Sequence, residues 1–310
     1  MKVFFRVDAS INIGVGHVVR CLVLAEELRN LGASIGFITR DHLGNLNKQI
    51  KDNDFFLYSL PFQKRAIEKK SSNKYETLLG VRQKVDAEET IRVFKGKIDL
   101  LIIDHYALDI TWERSLRPHT KKIMVIDDLS NRMHDCDFLL DQNYVHNQKR
   151  YNNLLTPNVT KLLGTKYALL RKDFLENRKI CAQENGSAER VFVFFGGTDP
   201  DNVTIMAIKA LSQSKLKYLL VDVVIGSGNP HRTELEKEVN KHSNIKLHVQ
   251  VDNIAELMAS ADIAIGAGGT ATWERMVIGL PSIVITIANN QVELIKDLDQ
   301  DGCLKWLGNL

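Results

Sequence analysis

The sequence lacks any dense block of lysine and arginine, and it lacks any apolar run long enough to cross a membrane. Its 41 lysines and arginines face 38 aspartates and glutamates, which gives a formal charge of +3 over 310 residues. A dedicated nucleic-acid-binding protein is therefore not expected. The apolar run at the N-terminus stops at Asp8, which is too short for a signal peptide or a membrane span. These absences predict a cytoplasmic protein that inserts into no membrane.

Cysteine is also sparse. The four cysteines, Cys21, Cys136, Cys181 and Cys303, lie far apart and form no C-x-x-C pair. Neither a structural zinc site nor a disulfide framework is expected, and the thiols are predicted to be reduced and mostly buried. Asp135 and Asp137 have the D-x-D spacing of some metal sites, but Asp137 opens an apolar run. We interpret this motif as a turn that enters a strand, and we expect neither a metal nor a cofactor.

The chain alternates short β-branched runs with segments of helical period, which is typical of βαβ units in parallel sheets. Its length predicts two doubly wound, Rossmann-like α/β domains. We place the first at 1–165, a connecting helix and linker at 166–190, and the second at 191–310. The carboxyl ends of the strands, where such folds bind ligands, are expected to face a shared cleft.

The predicted elements follow from this alternation. Strands are predicted at Lys2–Val7, Ser34–Thr39, Phe55–Leu60, Asp99–Asp104, Lys122–Asp127, Asp137–Leu140, 191–195, 219–225, 246–250, 262–266 and 282–287. Helices are predicted near His17–Leu31, 82–95, 109–117, Lys166–Lys179, 201–212, 231–241, 253–260, 270–279 and 290–299. The basic stretch Gln63–Lys74 favours an exposed loop or frayed helix over an interaction patch, and the polar stretch CAQENGSAE suits a linker.

Two glycines, Gly14 and Gly16, separate the first predicted strand from the first predicted helix, and His17 follows them. A glycine pair lets the backbone approach an anionic or crowded ligand, and the helix start supplies free N–H groups. The motif fails the dinucleotide fingerprint because Val19 stands at the third glycine position, so a nicotinamide or flavin site is not expected. A helix start disfavours a charged imidazole, which makes His17 a candidate general base. A packed or solvated histidine is the alternative.

The sequence FFGGTD forms the first glycine-rich strand end of the second half. An apolar strand leads directly into Gly197, Thr198 and Asp199. Backbone N–H groups and a hydroxyl at a strand end suit an anionic ligand, but a turn with an aspartate N-cap explains the same residues equally well.

The sequence IAIGAGGTATWE forms the second glycine-rich strand end. Gly268, Gly269 and Thr270 precede a predicted helix and would cradle a diphosphate without a metal, because N–H groups and the helix dipole carry the charge. Glu274 lies one helical turn past Thr270, where a carboxylate could accept both hydroxyls of a ribose. A solvated glutamate is the alternative.

Whole phrases of the sequence resemble one family. They are Arg6-Val-Asp8-Ala-Ser10, Ile13-Gly-Val-Gly-His17-Val-Val-Arg20-Cys21, Leu101-Ile-Ile-Asp104-His105-Tyr106, Cys136-Asp-Phe-Leu-Leu-Asp-Gln-Asn143, Gly164-Thr-Lys-Tyr167-Ala-Leu-Leu-Arg171, Gly196-Gly-Thr-Asp199 and Asn253-Ile-Ala-Glu-Leu-Met258. In this order and over nearly the whole chain, they resemble the UDP-sugar hydrolases of pseudaminic acid biosynthesis. These enzymes have the GT-B architecture of many glycosyltransferases.

The resemblance implies metal-independent, inverting hydrolysis of UDP-2,4-diacetamido-2,4,6-trideoxy-β-L-altropyranose to UDP and the free sugar. His17 would be the base that activates water. The implied sugar-side residues are Asp8, Gly14, Gly16, Tyr106, Arg171 and Asn290, and the implied UDP-binding residues are Gly197, Thr198, Gly268, Gly269, Thr270 and Glu274. The UDP-sugar is the expected partner of a monomeric protein.

Two other functions remain open. A glycosyltransferase, which gives the sugar to an acceptor instead of water, shares the GT-B layout. A transferase for membrane-bound acceptors should carry an apolar and basic surface stretch, and Gln63–Lys74 is basic without the apolar part. The other function is nucleotide-sugar binding without turnover, which His17 and the paired glycines disfavour. GT-B chains often continue with a helix that crosses back to the first domain, so we also expect a short C-terminal end after the helix near 290–299.

Overall fold

The chain divides into two units, which we call unit 1 (Met1–Leu169) and unit 2 (Leu170–Leu310). The structure, a computed structural model, describes residues 1–62, 75–147, 149–178 and 187–310. The division falls inside the segment predicted to connect the domains. The basic stretch Gln63–Lys74, Cys181 and the larger part of the predicted linker lie outside the described residues. Among those described, no helix combines the length and the apolar character needed to cross a bilayer.

Unit 1 contains a seven-stranded parallel sheet of order β3-β2-β1-β4-β5-β6-β7. The strands are β1 (Lys2–Val7), β2 (Ser34–Arg40), β3 (Phe56–Leu60), β4 (Ile98–Asp104), β5 (Thr120–Ile126), β6 (Phe138–Asp141) and β7 (Thr160–Leu163). The helices are α1 (Gly16–Asn30), α2 (Asn47–Asp52), α3 (Glu76–Leu79), α4 (Gln83–Val93) and α5 (Ile110–Leu116), with 3₁₀ turns at Arg117–His119 and Thr165–Tyr167.

Unit 2 contains a six-stranded parallel sheet of order β10-β9-β8-β11-β12-β13. The strands are β8 (Arg190–Phe194), β9 (Leu220–Ile225), β10 (Ile245–Val249), β11 (Ile263–Ala267), β12 (Ser282–Thr286) and β13 (Lys305–Asn309). The helices are α6 (Lys172–Asn177), α7 (Val203–Leu211), α8 (Arg232–Val239), α9 (Ile254–Ala259), α10 (Ala271–Ile278) and α11 (Asn289–Gln300), with a 3₁₀ turn at Ser214–Leu216. The predicted fold class, two doubly wound α/β units, is confirmed.

Both faces of each sheet are covered, as expected for apolar parallel strands. In unit 1, Val3, Phe5 and Val7 pack with α1 on one face, while Phe4 packs with residues of α4 and α5 on the other. In unit 2, one apolar cluster lies under α7 and α8 and the other under α6, α9 and α10. Each sheet therefore leaves only its ends and edges for ligand contacts.

The strand order locates the ligand-binding end of each unit. The order reverses between β1 and β4 in unit 1 and between β8 and β11 in unit 2, and α/β sheets bind ligands at the carboxyl ends of strands at such a point. The register pairs Val7 with Asp104 in unit 1 and Phe194 with Gly266 in unit 2. All three predicted glycine loops, after β1, β8 and β11, thus follow strands at the reversal points.

The main differences between the structure and the predicted elements are at one helix and at two edge strands. The predicted helix Lys166–Lys179 is replaced by a 3₁₀ turn, an extended segment through Arg171 (ψ 143°) and the short α6. The strands β7 and β13 were not predicted, because short edge strands with lysine, asparagine or glycine lack the apolar signal of central strands. Residues after the helix near 290–299 therefore add a sheet strand, Lys305–Asn309. Of the described cysteines, Cys21 and Cys136 are buried and Cys303 is exposed, and all three are free.

Candidate active site

His17 lies in the first turn of α1, at the reversal point of the unit 1 sheet. Gly14 has a φ of 81°, in the left-handed region that favours glycine, and its N–H donates to the Ser10 carbonyl at 2.8 Å. This turn brings the chain from the end of β1 into α1, which begins at Gly16. The prediction that His17 follows the glycine pair at a helix start is confirmed.

The His17 ring is oriented by Asp104, the last residue of β4. Its Nδ1 lies 2.6 Å from Asp104 Oδ1. Arg20, one helical turn further along α1, donates from Nε to Asp104 Oδ2 at 2.6 Å and from Nη2 to Oδ1 at 2.7 Å. A carboxylate that accepts from Nδ1 places the ring proton there and makes Nε2 the acceptor nitrogen. This arrangement of carboxylate and imidazole is the one a general base requires.

Asp104 is ionised in this arrangement. Burial would raise the pKa of its carboxyl, but the charge of Arg20 and the proximity of His17 hold that pKa well below the usual range. The carboxylate therefore remains an acceptor for Nδ1 across the neutral pH range.

Tyr106, predicted to contact the sugar, lies directly beside His17. The two ring centroids are 4.6 Å apart in an edge-on arrangement, and Tyr75 follows at 5.4 Å from Tyr106. Burial and the nearby carboxylate of Asp128 raise the pKa of Tyr106 well above its usual value, so its hydroxyl stays protonated. The structure brings His17 and Tyr106 together, while the contact of Tyr106 with sugar stays a prediction.

Asp8, also predicted to contact the sugar, is fully buried. Its Oδ1 accepts from Arg6 Nη1 and from the backbone N–H of Arg40, each at 2.6 Å. Arg6 and Arg40 also both bind Asp86. The carboxylate of Asp8 therefore joins the ends of β1 and β2, and a direct sugar contact stays a prediction that none of these distances supports.

The glycine loop between β11 and α10 is shaped by close packing. A Cβ on Gly266 would collide with the carbonyl oxygen of Phe194, and one on Gly268 would lie 2.5 Å from Ile295 Cγ1. Gly268 donates its N–H to the side-chain oxygen of Gln291 at 3.2 Å. Gly269 has more room, with Gln291 Nε2 at 3.8 Å from its Cβ position. Two of the loop's glycines therefore have a packing reason independent of any ligand.

Thr270 precedes α10, and its side chain caps no backbone group of that helix. The N–H of Thr272 donates to the Gly269 carbonyl at 2.9 Å and that of Trp273 to the Thr270 carbonyl at 3.1 Å, so an anion at the start of α10 would take its N–H donors from the residues before Thr272. The predicted contacts of Gly268, Gly269 and Thr270 with a diphosphate stay predictions, and the loop geometry is compatible with them.

Glu274 and Arg171 lie together in unit 2. Glu274 is in the first turn of α10, and burial raises the pKa of its carboxyl. Arg171 Nε lies 3.6 Å from Glu274 Oε1, and its guanidinium covers the ring of Phe174 at 4.6 Å. Arg171, predicted to contact the sugar, thus lies beside Glu274, predicted to bind the ribose. Both roles stay predictions.

The turn FFGGTD has a clear structural role. Asp199 accepts from the backbone N–H groups of Val203 at 3.0 Å and Thr204 at 2.9 Å, so it caps the first turn of α7. Asp199 thus satisfies N–H groups of the helix start, as the alternative interpretation expects, but the N-cap position itself is occupied by Asn202. Gly197 accepts from Gly226 N at 3.0 Å. Contacts of Gly197 and Thr198 with UDP stay predictions.

Sequence reasoning missed Asp104, Arg20 and Gln291. Asp104 ends a central apolar strand next to the first strand, and this position could have indicated a site residue. Arg20 is three residues past His17, on the same side of α1. Gln291 Oε1 accepts from both Gly268 and Ile287, at 3.2 and 3.0 Å, and so joins two loops that are distant in sequence. No local signal in the sequence indicates that contact.

The D-x-D motif is explained by an ion pair. Arg117 donates from Nη2 to Asp135 Oδ1 at 2.8 Å and from Nη1 to Asp137 Oδ2 at 2.5 Å, directly before β6.

Asn290, predicted to contact substrate, lies in the first turn of α11. Across residues 1–62, 75–147, 149–178 and 187–310, no three histidine, cysteine, aspartate or glutamate side chains group as metal ligands.

Comparison with known proteins identifies relatives over the whole chain. Residues 190–300 match the glycosyltransferase family 28 C-terminal domain. The chain is 28% identical to a Campylobacter jejuni protein named UDP-2,4-diacetamido-2,4,6-trideoxy-β-L-altropyranose hydrolase, over 94% of this chain and 93% of that one. It is 25% identical to the spore coat polysaccharide biosynthesis protein SpsG of Bacillus subtilis, over 99% of this chain and 84% of that one.

Two solved structures share the fold. Acinetobacter baumannii MurG aligns with 99% of this chain and 86% of its own, with a TM-score of 0.62 and 14% identity. Arabidopsis thaliana UGT89C1, solved in complex with UDP, aligns over the same fractions with a TM-score of 0.66 and 11% identity. At this identity the likeness extends to the fold alone, and the fold is that of the GT-B glycosyltransferases.

Proposed function

We propose that the chain is a nucleotide-sugar hydrolase that cleaves UDP-2,4-diacetamido-2,4,6-trideoxy-β-L-altropyranose to UDP and the free sugar, a step of pseudaminic acid biosynthesis. The observation that carries the proposal is the 2.6 Å contact of His17 Nδ1 with the ionised Asp104, from which we infer that Nε2 is the acceptor nitrogen. The likeness to the C. jejuni hydrolase over 94% of the chain supports the choice of substrate.

In the proposed reaction, His17 Nε2 accepts a proton from water as the water oxygen attacks the anomeric carbon. The bond between that carbon and the diphosphate oxygen breaks, and UDP leaves with the bonding electrons. Asp104 balances the imidazolium charge that develops. Because the water attacks opposite the leaving group, the anomeric configuration inverts. The proton on His17 then passes to solvent.

UDP is assigned to unit 2. Gly268, whose N–H donates to Gln291, would let the backbone lie close to the diphosphate, and Gly269 and Thr270 would donate N–H groups to it. Glu274 would accept from the ribose hydroxyls. UDP is a good leaving group, so its departure needs stabilisation of charge more than a general acid. The proposed step therefore involves no metal ion and no cofactor.

The proposal is tested by incubating the purified protein with the UDP-linked altrose derivative and no acceptor. We expect equal amounts of UDP and free sugar, an inverted anomer in the first turnovers by NMR, and no change on addition of a metal chelator. An absolute requirement for an acceptor, or the absence of any UDP release, would overturn the proposal.

A glycosyltransferase is the second candidate, favoured by the match of residues 190–300 to a glycosyltransferase domain. The same assay distinguishes the two reactions. A transferase would release UDP slowly from the sugar nucleotide alone and much faster with the correct acceptor. A hydrolase would release it at the same rate with or without sugar acceptors.

A further inference from the structure

Arg275 is a buried cation at the base of the loop between β11 and α10. Its side chain is 1% exposed. Nη2 donates to the carbonyl oxygen of Ala267 at 2.9 Å and to the hydroxyl of Thr272 at 3.2 Å. Ala267 ends β11, and Thr272 lies in the first turn of α10. The guanidinium therefore connects the two ends of the loop that contains Gly268, Gly269 and Thr270.

No carboxylate pairs with this cation in the part of the chain that the structure describes. Nε and Nη1 of Arg275 have no hydrogen-bond partner there, and Glu274 acts on the charge only at longer range. The buried Arg6 and Arg20 differ, because each forms ion pairs with aspartates at 2.6 Å. A buried charge without a counter-ion is costly, and an uncharged side chain would serve packing alone at lower cost.

The surroundings leave room for the guanidinium and keep its charge. A Cβ on Gly266 would lie 3.0 Å from Arg275 Nη1, so the absence of a side chain there lets the guanidinium lie against the end of β11. Burial lowers the pKa of Arg275 to about 10. The group is therefore still protonated near pH 7, and a positive charge persists behind the loop.

We infer that Arg275 is a positioning residue for a bound diphosphate, acting from inside unit 2. It fixes both ends of the loop, and its unpaired charge favours an anion on the outer side of that loop. A charge in a poorly solvated interior acts over several ångströms with little screening, so no direct contact with the ligand is needed. The inference rests on the proposed function, which assigns the diphosphate to this loop.

The test compares the affinities of UDP, UMP and uridine for Arg275→Gln and Arg275→Lys by calorimetry. Glutamine is uncharged and keeps an amide donor, but it is two bonds shorter than arginine, so the uridine arm reports any change in the loop itself. We expect Arg275→Gln to weaken UDP binding about 10- to 50-fold, to weaken UMP binding less, and to change uridine binding by less than about twofold. Arg275→Lys keeps the charge and should bind UDP within about threefold of the native protein.

Arg190→Met is the matched control. It removes a positive charge at the start of β8, the opposite end of the same sheet, and should leave UDP affinity unchanged. Equal losses for UDP and uridine in Arg275→Gln would show that Arg275 only maintains the loop, and equal losses in the lysine and glutamine variants would exclude the charge effect. Either result would overturn the inference alone. Failure of the native protein to bind UDP would overturn the proposed function as well.

Discussion

The two units differ in the chemistry at the carboxyl ends of their strands. In unit 1, four strand ends carry a buried aspartate, and each of these carboxylates lies near an arginine. The pairs are Asp8 with Arg6 at 2.6 Å, Asp104 with Arg20 at 2.6 Å, Asp127 with Arg132 at 2.7 Å and Asp141 with Arg150 at 3.6 Å. In unit 2 the strands β8 and β11 end in glycine-rich loops. Arg275, beneath the second of these loops, pairs with no carboxylate in the described part of the chain.

This difference shows how a chain with a formal charge of +3 can have strand ends of two kinds, with paired charges in unit 1 and local positive charge in unit 2. Paired charges fix side chains in one orientation and cancel each other, which suits a histidine that must act as a base. Unpaired N–H groups and an unpaired guanidinium leave positive potential, which suits an anionic ligand. The near balance of total charge is thus compatible with a local excess in unit 2.

The largest effect is expected for the proposed base, His17. His17→Ala should lower turnover about 10²- to 10⁴-fold, because the proposed acceptor of the water proton is lost, while UDP affinity stays the same. Steady-state kinetics and UDP binding measure the two quantities. His119→Ala is the control, since His119 precedes β5 at the opposite end of the unit 1 sheet. Near-normal turnover in His17→Ala would remove this residue from the mechanism.

Asp104→Asn tests whether the paired charge of unit 1 orients the base. An asparagine can stabilise the wrong tautomer of His17 and no longer balances an imidazolium, so turnover should fall about 10²-fold or more with little change in KM. The substitution also leaves Arg20 with a weaker partner, so thermal stability is measured in parallel. In a His17→Ala background, Asp104→Asn should cause no further loss of turnover. A further loss equal to that of the single variant would mean that Asp104 acts independently of His17.

Glu274→Ala tests the nucleotide side of the comparison. Loss of the carboxylate should weaken UDP binding about tenfold, because hydrogen bonds from the ribose to a charged acceptor are lost. Turnover at saturating substrate should change much less. The affinity of 2′,3′-dideoxy-UDP, which has neither ribose hydroxyl, should be nearly equal in the native protein and the variant. Glu236→Ala on α8 should leave UDP binding unaffected. A variant that binds UDP normally but turns over slowly would contradict the ribose assignment.

The sequence is sufficient to predict the fold class and the position of His17, because both depend on local patterns. Apolar runs alternate with helical segments, and glycines precede a helix start. The surroundings of these positions are not predictable in the same way. Asp104 is 87 residues from His17, and Arg275 is singled out because no carboxylate pairs with it among the residues that the structure describes. Such features depend on strand order and packing, which cannot be derived from local patterns in a single sequence.

Short sequence motifs also do not distinguish a ligand-binding role from a packing role. In GAGG, the glycines predict a ligand cradle, but Gly266 and Gly268 are also required by Phe194 and Ile295. Asp8 belongs to a motif that predicts a sugar contact, but its carboxylate is buried between Arg6 and Arg40. A motif thus indicates that a residue matters to the structure or the site, and packing decides which.

The smallest effect is expected for Asp141, whose 3.6 Å contact with Arg150 is the longest of the four aspartate–arginine pairs named above. Burial raises the pKa of Asp141 to about 7, and its Oδ2 lies 3.0 Å from the hydroxyl of Tyr151. A raised pKa in the folded state means that the folded protein holds the proton more tightly than the unfolded chain. The free energy of unfolding should therefore fall as pH rises from about 4 to about 7 and change little from this group above that range.

Asp141→Asn removes this titration, because the amide can accept from the backbone N–H of Asn143 and donate toward Tyr151 as the protonated acid does. Its Tm should match that of the native protein near pH 4 and exceed it by about 2–5 °C at pH 8. Thermal unfolding followed at both pH values measures this difference. A variant less stable than the native protein at pH 8 would show that the ionised Asp141 contributes favourably through Arg150, and the aspartates of unit 1 would then all be stabilised by their arginines.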